Sequence, residues 1–529
     1  MEATRSECTV EAFHRSNHLL QVLFERASRC YESLTATLDV LPECFEQRDA
    51  PGSETNSQKP TVPRLNYKAF VEPGQPVQEG RMNSVTNPMP SAKSEPEWAA
   101  FAAIDWADQK HFWRLVPAGS QQSEQGELAH TPEAVECWAA ALEQRFGGRP
   151  IAVCLEQTRG ALVYMLSKYA HLVLYPVHPA TAARYRETFC TSGAKDDPND
   201  TAFLLDLMLR HRERLRQLQP DTLETRLLQF LVEERRRTVN ERTRQSNRLT
   251  DCLKQYFPQI LRWFDDVDTP LVGDLLERWP TLEQLRRAHP GTLRKFFQEH
   301  NCRSAERNQE RIDAIYVAVS ATQDAAVLEA GALTARGLIA LLRTLRDNIA
   351  ELDRRIEQLV LTHPDKALFA SLPGAGPVLV PRLIVAFGTR RERYDSAYEM
   401  QCYSGIAPVT KASGKTNRVH FRRACPKFLR QTFHEFALHS IAQSEWAKAY
   451  YQHLRNDEHK SHHAAVRSLA YKWIRLIFRC WKDGKPYDEE MYMMSLRRRG
   501  SMLAAVLGPT TGIGWKSVGG FQKLSENCA

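Results

Sequence analysis

Two short apolar runs, each ending on a carboxylate, constrain this chain more than any other feature. Phe101-Ala102-Ala103-Ile104 leads into Asp105, and Ile151-Ala152-Val153-Cys154-Leu155 leads into Glu156. Runs this short and this continuously apolar are buried strands rather than amphipathic helices. His111 to Val116 is a second strand-like run after Trp106 to Lys110, so Asp105 belongs to the first strand of a hairpin. A third short strand is expected around Gly126 to His130. A helix follows over Pro132 to Phe146, closed by Gly147-Gly148, then the Glu156 strand, a helix over Ala161 to Ala170 and a strand over Leu172 to Val177. Continuously apolar strands separated by helices require cover on both faces, which gives a mixed sheet flanked by helices. Asp197 and Asp200 stand at the start of the helical stretch Thr201 to Arg214. They are three apart, share a face, and sit where a helix N-terminus tolerates clustered negative charge.

Taken singly, each of these carboxylates reads as a solvated or capping residue. As an ordered set, Asp105, Glu156, Asp197 and Asp200 form a candidate site for Mg2+ or Mn2+. Such hard cations take oxygen ligands and keep several waters, so a few convergent carboxylates suffice. Two ions held in this way activate the attacking oxygen and stabilise the leaving oxygen of a phosphodiester. The strand and helix order is that of the ribonuclease-H fold.

The net charge of +8 matters less than its distribution. Between Lys411 and Arg479 there are fourteen Lys or Arg against four Asp or Glu, interleaved with Phe421, Phe428, Trp446, Tyr450 and Trp473. That mixture suits phosphate contact and base stacking, although aromatics at helical spacing also build cores. The twelve cysteines contain no Cys-x-x-Cys pair, so neither a zinc site nor a disulfide framework is expected. No membrane span or signal peptide is expected, and the chain reads as a cytoplasmic, nucleoid-associated protein.

Five regions follow from the pattern. Residues 1–95 form an N-terminal extension, largely linker or disordered because residues 49–95 are rich in Pro, Ser, Gln, Asn and Gly. Residues 96–221 form the carboxylate-bearing domain. Residues 222–365 form an antiparallel coiled-coil stalk, from long helices over Thr222 to Phe257 and Ala332 to Leu361, with a helical insert at about 265–331. Residues 366–490 form a mainly helical C-terminal domain, and residues 491–529 a tail. The first stalk helix carries Arg235, Arg236 and Arg242 on a basic face, most often simply solvated but here also a candidate nucleic-acid contact. Pro373-Gly374-Ala375-Gly376 resembles the hairpin of a helix-hairpin-helix element, in which Gly374 and Gly376 free backbone N–H groups to grip a DNA phosphate.

Further on come Gly405-Ile406-Ala407-Pro408 and Lys411-Ala412-Ser413-Gly414-Lys415. With the four carboxylates and Lys195-Asp196-Asp197-Pro198-Asn199-Asp200 upstream, these residues resemble the insertion-sequence 110 family of DEDD transposases, bridge-RNA-guided serine recombinases, from about Ala100 to Lys485. The resemblance implies a RuvC-like domain that holds magnesium, and Ser413 as the nucleophile that forms a transient phosphoserine link. It also implies donor and target DNA, a non-coding guide RNA, and a homo-oligomer, dimer or tetramer, as partners. Lys411, Lys415, Arg418, Arg422 and Arg423 are then phosphate clamps. Ser404 lies in a small-residue run that predicts a packed, non-catalytic serine. Two alternatives stay open: a RuvC-like junction nuclease without strand transfer, and a nucleic-acid-binding protein with a decayed site. The motif His434-Glu435-Phe436-Ala437-Leu438-His439 is not a metalloprotease signature, since its histidines are five apart and diverge on a helix.

Overall fold

In a computed structural model the described residues are 97–189, 197–414 and 416–501. The expectations for residues 1–95, the tail beyond 501, Lys195, Asp196 and Lys415 lie outside them. The chain divides at Pro220/Asp221 into two compact units.

The first unit is a mixed α/β domain built on a five-stranded sheet in the order β3-β2-β1-β4-β5. The strands are β1 (Ala100–Asp105), β2 (Lys110–Pro117), β3 (Glu124–Ala129), β4 (Ile151–Leu155) and β5 (Leu172–Pro176). The first three are antiparallel, while β4 runs parallel to both β1 and β5. This arrangement is consistent with a ribonuclease-H-like domain. Alternation along β1 divides the core between two faces. Ala102 and Ile104 pack with Val135, Ala139, Leu162 and Leu166, from α1 (Pro132–Phe146) and α2 (Ala161–Leu166). Ala103 packs on the other side with Ala182 of α3 (Pro179–Phe189) and Leu204 and Met208 of α4 (Asp197–His211). Local chemistry sets the ends of α1: Thr131 caps the Ala134 N–H, Pro132 fills the first turn, and Gly147 takes the left-handed conformation at φ 61°. Two expectations need correction. α2 stops at Leu166 because Ser167 caps it and a tight turn feeds β5. The helix α3 was not anticipated, since its sequence buries only Ala182 and shows no clear amphipathic period.

The second unit is mostly helical. Thr222 and Asp324 cap two long helices, α5 (Leu223–Tyr256) and, after the insert, α11 (Ala325–Thr362). Their contacts run Thr225 to His363, Arg235 to Asp353 and Cys252 to Gly331. Partner numbers fall as the first set rises, so the pair is antiparallel. The second helix begins seven residues before the expected Ala332, because the apolar period does not mark the capped first turns. By length and composition α11 could cross a membrane, with a mean hydropathy of 1.6 over eighteen residues. This corrects the expectation that no such run exists, although Leu338, Ile339, Leu342, Ile349 and Ile356 of this helix are buried in the protein itself.

The insert folds as five short helices: α6 (Ile260–Trp263), α7 (Pro270–Arg278), α8 (Leu282–Arg286), α9 (Pro290–Glu299) and α10 (Ala305–Val317). Its core of Leu275, Leu285, Leu293 and Phe297 merges with Leu249 and Leu253 of α5 and Leu338 and Leu342 of α11, and so caps the far end of the stalk. At the near end Leu228, Val232 and Ile356 join the C-terminal core. That core centres on α13 (Leu379–Phe387), α15 (Lys427–Gln443) and α17 (His462–Asp483), with Trp446, Trp473 and Trp481 fully buried. The remaining elements are α12 (Lys366–Ala370), α14 (Ala397–Tyr403), α16 (Glu445–Asn456), α18 (Glu489–Arg498) and the hairpin β6 (Val409–Ser413) with β7 (Thr416–His420).

Candidate active site

The parallel pairing of β1 and β4 sets Ile104 beside Leu155. One residue further on, Asp105 and Glu156 therefore emerge side by side at the C-terminal edge of the sheet, both half-buried. A cavity lined by Glu156, Ala182, Arg186, Asp200, Phe203, Leu204 and Leu207 brings Asp200 of α4 to the same edge. Asp197 is the first residue of α4, one turn before Asp200. Arg114 of β2 donates to the Pro198 carbonyl at 3.3 Å, and the Thr201 hydroxyl donates to the same carbonyl at 3.0 Å, which fixes this helix start over the sheet.

Arg186 of α3 is the residue that sequence reasoning missed here. Its guanidinium pairs with the Asp200 carboxylate at 2.6 Å, the carboxylate side chain being only 10% exposed. Carboxylate oxygens from Asp105, Glu156 and Asp200 have the chemistry a hard divalent cation requires. Among the described residues, however, no group of three or more His, Cys, Asp or Glu is gathered closely enough to hold a metal ion. The guanidinium of Arg186 supplies positive charge beside Asp200.

A second polar arrangement stiffens the turn after Asp105. The His111 Nδ1 accepts from the Ala107 N–H at 3.2 Å, so its Nε2–H faces His130 Nδ1 at 2.8 Å. Burial, with the neighbouring His130, pushes the His111 pKa down to about 4, and the ring is neutral at ordinary pH.

The two serines part company as their sequence surroundings suggest. Ser404 is fully buried and its hydroxyl donates to the Gln401 carbonyl at 3.3 Å. Ser413 is exposed, but it ends strand β6 rather than lying in an open loop. It pairs across the hairpin with Thr416, and Gly414 beside it has φ 53°. Lys411 stands directly opposite Arg418. Exposed like charges facing each other across a ladder are unfavourable unless an anion lies between them. Arg422 is turned inward, donating to the carbonyls of Ala407 at 3.1 Å and Pro408 at 3.4 Å, so it anchors the base of the hairpin, whereas Arg423 is exposed. Phe421 is flanked by the guanidiniums of Arg430 and Arg467, 4.9 and 4.4 Å from its ring centre.

The remaining candidate contacts are mainly structural in this geometry. Arg235 pairs with Asp353 of α11, Arg242 with Asp268 at 3.0 Å, and Arg236 lies 3.7 Å from Glu435, itself paired with the buried Arg382. These three arginines brace α5 against α11, the insert and α15, and the exposed cations on α5 are Arg226, Arg237, Arg244, Arg248 and Lys254. In the Gly374 turn the N–H groups of Ala375 and Gly376 donate to the carbonyls of Leu372 and Gly374 at 3.1 Å, which corrects the expectation that the hairpin leaves them free. Gly374 itself is required for close packing, since a Cβ there would lie 2.8 Å from the His439 backbone. His434, buried on α15 with its pKa pushed down to about 3 by burial and by Arg467, behaves as a core residue.

Known proteins resemble the chain in both units. Residues 102–258 match the profile of a DEDD-type transposase family named for IS110, and residues 366–452 match the transposase IS116/IS110/IS902 family. The chain is 26% identical over 407 residues to a Streptomyces coelicolor protein assigned as the mini-circle transposase for IS117, which aligns 75% of this chain with 97% of that one. It is 26% identical over 396 residues to a 43.6 kDa protein of insertion element IS110 from the same species, covering 74% and 96%. A 42 kDa protein of insertion element IS900 from Mycobacterium paratuberculosis is 24% identical over 405 residues, covering 74% and 98%.

Proposed function

The chain belongs to the IS110 family of insertion-element transposases, enzymes that cut and rejoin DNA, and from that premise we propose that Asp105, Glu156, Asp197 and Asp200 serve as its metal-binding carboxylates and Ser413 as its nucleophile. The parallel register that sets Asp105 beside Glu156, with Asp200 on the same cavity, is the observation that carries the carboxylate reading. Bound Mg2+ or Mn2+ supplies electrostatic stabilisation of the charge that develops on a reacting phosphodiester. The protein's own groups do the rest. Ser413 stands exposed at the tip of a cationic hairpin, where Lys411 and Arg418 on opposed strands offer positive charge to one phosphate.

In the cleavage step the Ser413 oxygen bonds to phosphorus, the bond to a bridging oxygen breaks, and the proton lost by the serine ends on the departing DNA hydroxyl. The phosphoserine ester keeps the bond energy for rejoining, which a hydrolytic junction nuclease does not do. The carboxylates and Ser413 belong to different units of the chain. A homo-oligomer is part of this reading, and the exposed apolar residues Val327, Leu333 and Leu341 on α11 offer a surface for self-association. Guidance by a non-coding RNA is part of the same reading, supported by the family resemblance and by the exposed Arg237, Arg244 and Arg248, and it places the enzyme in the cytoplasm with donor and target DNA.

Trapping the covalent intermediate tests the reading. Full-length protein with its element DNA and the RNA encoded beside it is expected to form a protein–DNA adduct. Ser413→Ala should lower adduct formation by about 10^4-fold or more, while Ser404→Ala leaves it near normal. Asp105→Asn and Glu156→Gln should each lower cleavage about a hundredfold or more without loss of DNA binding. A Ser413→Ala protein that still forms the adduct overturns the nucleophile assignment, and undiminished recombination by protein freed of RNA overturns guidance.

A further inference from the structure

Strand β7 ends at His420, and the next residue, Phe421, keeps 42% of its surface exposed although it is a large apolar ring. Two guanidiniums lie against it. Arg430, near the start of α15, and Arg467, near the start of α17, stand 4.9 and 4.4 Å from the ring centre. Three segments distant in sequence thus bring two arginines onto one exposed ring. Arg430 Nη1 also donates to the Arg422 carbonyl at 3.3 Å, and among the described residues Arg430 meets no carboxylate.

Stacked arginines can be mere braces, and a basic face is ordinarily just solvated. The charge around this pair argues otherwise. No Asp or Glu occurs from Met400 through His434, nor from His459 through Lys482. The two helices also turn imidazoles toward the same place: His434 lies four residues after Arg430, and His463 four before Arg467, so each pair shares a helix face. After burial, the groups that push the His434 pKa down are Arg467, Arg430, His463 and His462. His462 is held down in turn by burial, His463 and Arg455. Positive groups therefore converge where α15 meets the start of α17. The neighbouring carboxylates are engaged elsewhere: Glu435 with the buried Arg382, Asp457 with His453 at 2.6 Å, and Glu458 with Lys460 at 2.8 Å. Like charges gathered in this way repel one another, and an anion between them removes that cost.

We infer that Arg430 and Arg467 form a further DNA-binding site, taking a backbone phosphate between their guanidiniums, with Phe421 as the residue that positions them. Arginine forks grip phosphate oxygens without reading bases. The ring of Phe421 attracts both guanidiniums through its negative faces and so holds together two cations that would otherwise splay apart. The site is not the hairpin tip. The four steps from Thr416 to His420 span about 14 Å, so the arginine pair holds the backbone at a distance from the phosphate that Ser413 would attack. The inference rests on DNA being the substrate, and on neither the carboxylate nor the serine assignment.

Anisotropy titrations of the full-length protein with a labelled duplex of unrelated sequence, over a range of salt concentrations, test it. The variant Arg430→Gln/Arg467→Gln should bind at least about fivefold more weakly near 0.1 M salt. Its plot of log affinity against log salt should be shallower by about 1 to 2, at roughly 0.9 per lost phosphate contact. Arg430→Lys/Arg467→Lys should keep the parental slope. Phe421→Leu leaves both charges in place, so it should bind about two- to fivefold more weakly with an unaltered slope, and Phe421→Trp should restore the affinity. Arg467→Gln alone should give about half the slope change, and it decides the matter if the double variant melts early. An unchanged slope in the Gln variants overturns the inference, and a Phe421→Leu protein that binds like the parent overturns the positioning role of the ring. A loss confined to a structured RNA of similar length, with the duplex titration unaltered, also overturns it. Ser413→Ala should leave these titrations unchanged, so failure here and failure of the nucleophile reading are separable.

Discussion

Arg186 decides what state the carboxylate edge is in. Its pairing with Asp200 neutralises a carboxylate that is nearly out of water, and a bound divalent cation would compete for the same oxygens. Replacing one partner of such a pair leaves an uncompensated charge, which costs about 1–3 kcal/mol for a partly buried group. Arg186→Met is therefore expected to lower the melting temperature in chelator by several degrees. Addition of Mn2+ should restore it, and should do so at a lower concentration than the parent protein needs for its own metal response. A melting temperature that falls equally with and without Mn2+ would show that Arg186 is purely structural and that Asp200 lies outside the metal site. Nothing in the sequence flagged this arginine, because it sits on a helix without a clear period. Its partner lies fourteen residues on.

At the scale of elements, the glycines of the Pro373–Gly376 turn divide by what surrounds them. Gly374 has φ 83° and its Cα faces the backbone of α15, with His439 and Ser440 atoms 2.8 to 3.0 Å from where a Cβ would be. Gly376 has open space around it. Gly374→Ala should destabilise the second unit by about 2 kcal/mol or more, combining backbone strain with a clash that α15 cannot relieve without moving. Gly376→Ala should change stability by less than about 1 kcal/mol. Urea denaturation followed by tryptophan fluorescence reads this well, since Trp446, Trp473 and Trp481 are buried in the affected core. Equal tolerance at both positions would mean that the close approach of this turn to α15 is not a constraint. The sequence marks both glycines alike; only the packing of α15 separates a steric requirement from a tolerated position.

For the whole molecule, the feature to explain is an apolar helix that uses only one of its faces within the chain. On α11, Leu333 and Leu341 are 68% and 50% exposed and lie four residues to either side of Gly337, whose surroundings are open. That spacing is self-complementary about a two-fold axis: Leu333 of one copy would meet Leu341 of the other, with Gly337 allowing close approach. Leu333→Glu/Leu341→Glu should shift the protein toward a monomer in sedimentation velocity and lower recombination, while duplex binding per chain is retained. An unaltered sedimentation profile would place self-association on another surface.

Sequence alone specified the strands of the first unit, because the runs ending at Asp105 and Glu156 are legible as period and length without any tertiary partner. The antiparallel stalk was legible for the same reason, as were the burial of Ser404 and the exposure of Ser413, which follow from neighbouring residues. Tertiary structure decided the rest. The register of β1 against β4 sets Asp105 beside Glu156, and the packing of α3 brings Arg186 to Asp200. Ion pairs with Asp353, Asp268 and Glu435 convert Arg235, Arg242 and Arg236 from an apparent basic face into braces. Local period reports which residues are apolar and on which face they lie. It carries no information about which carboxylate a given cation meets, because that depends on how elements approach in the fold, whether the partner is 14 residues away, as for Arg186 and Asp200, or 118, as for Arg235 and Asp353.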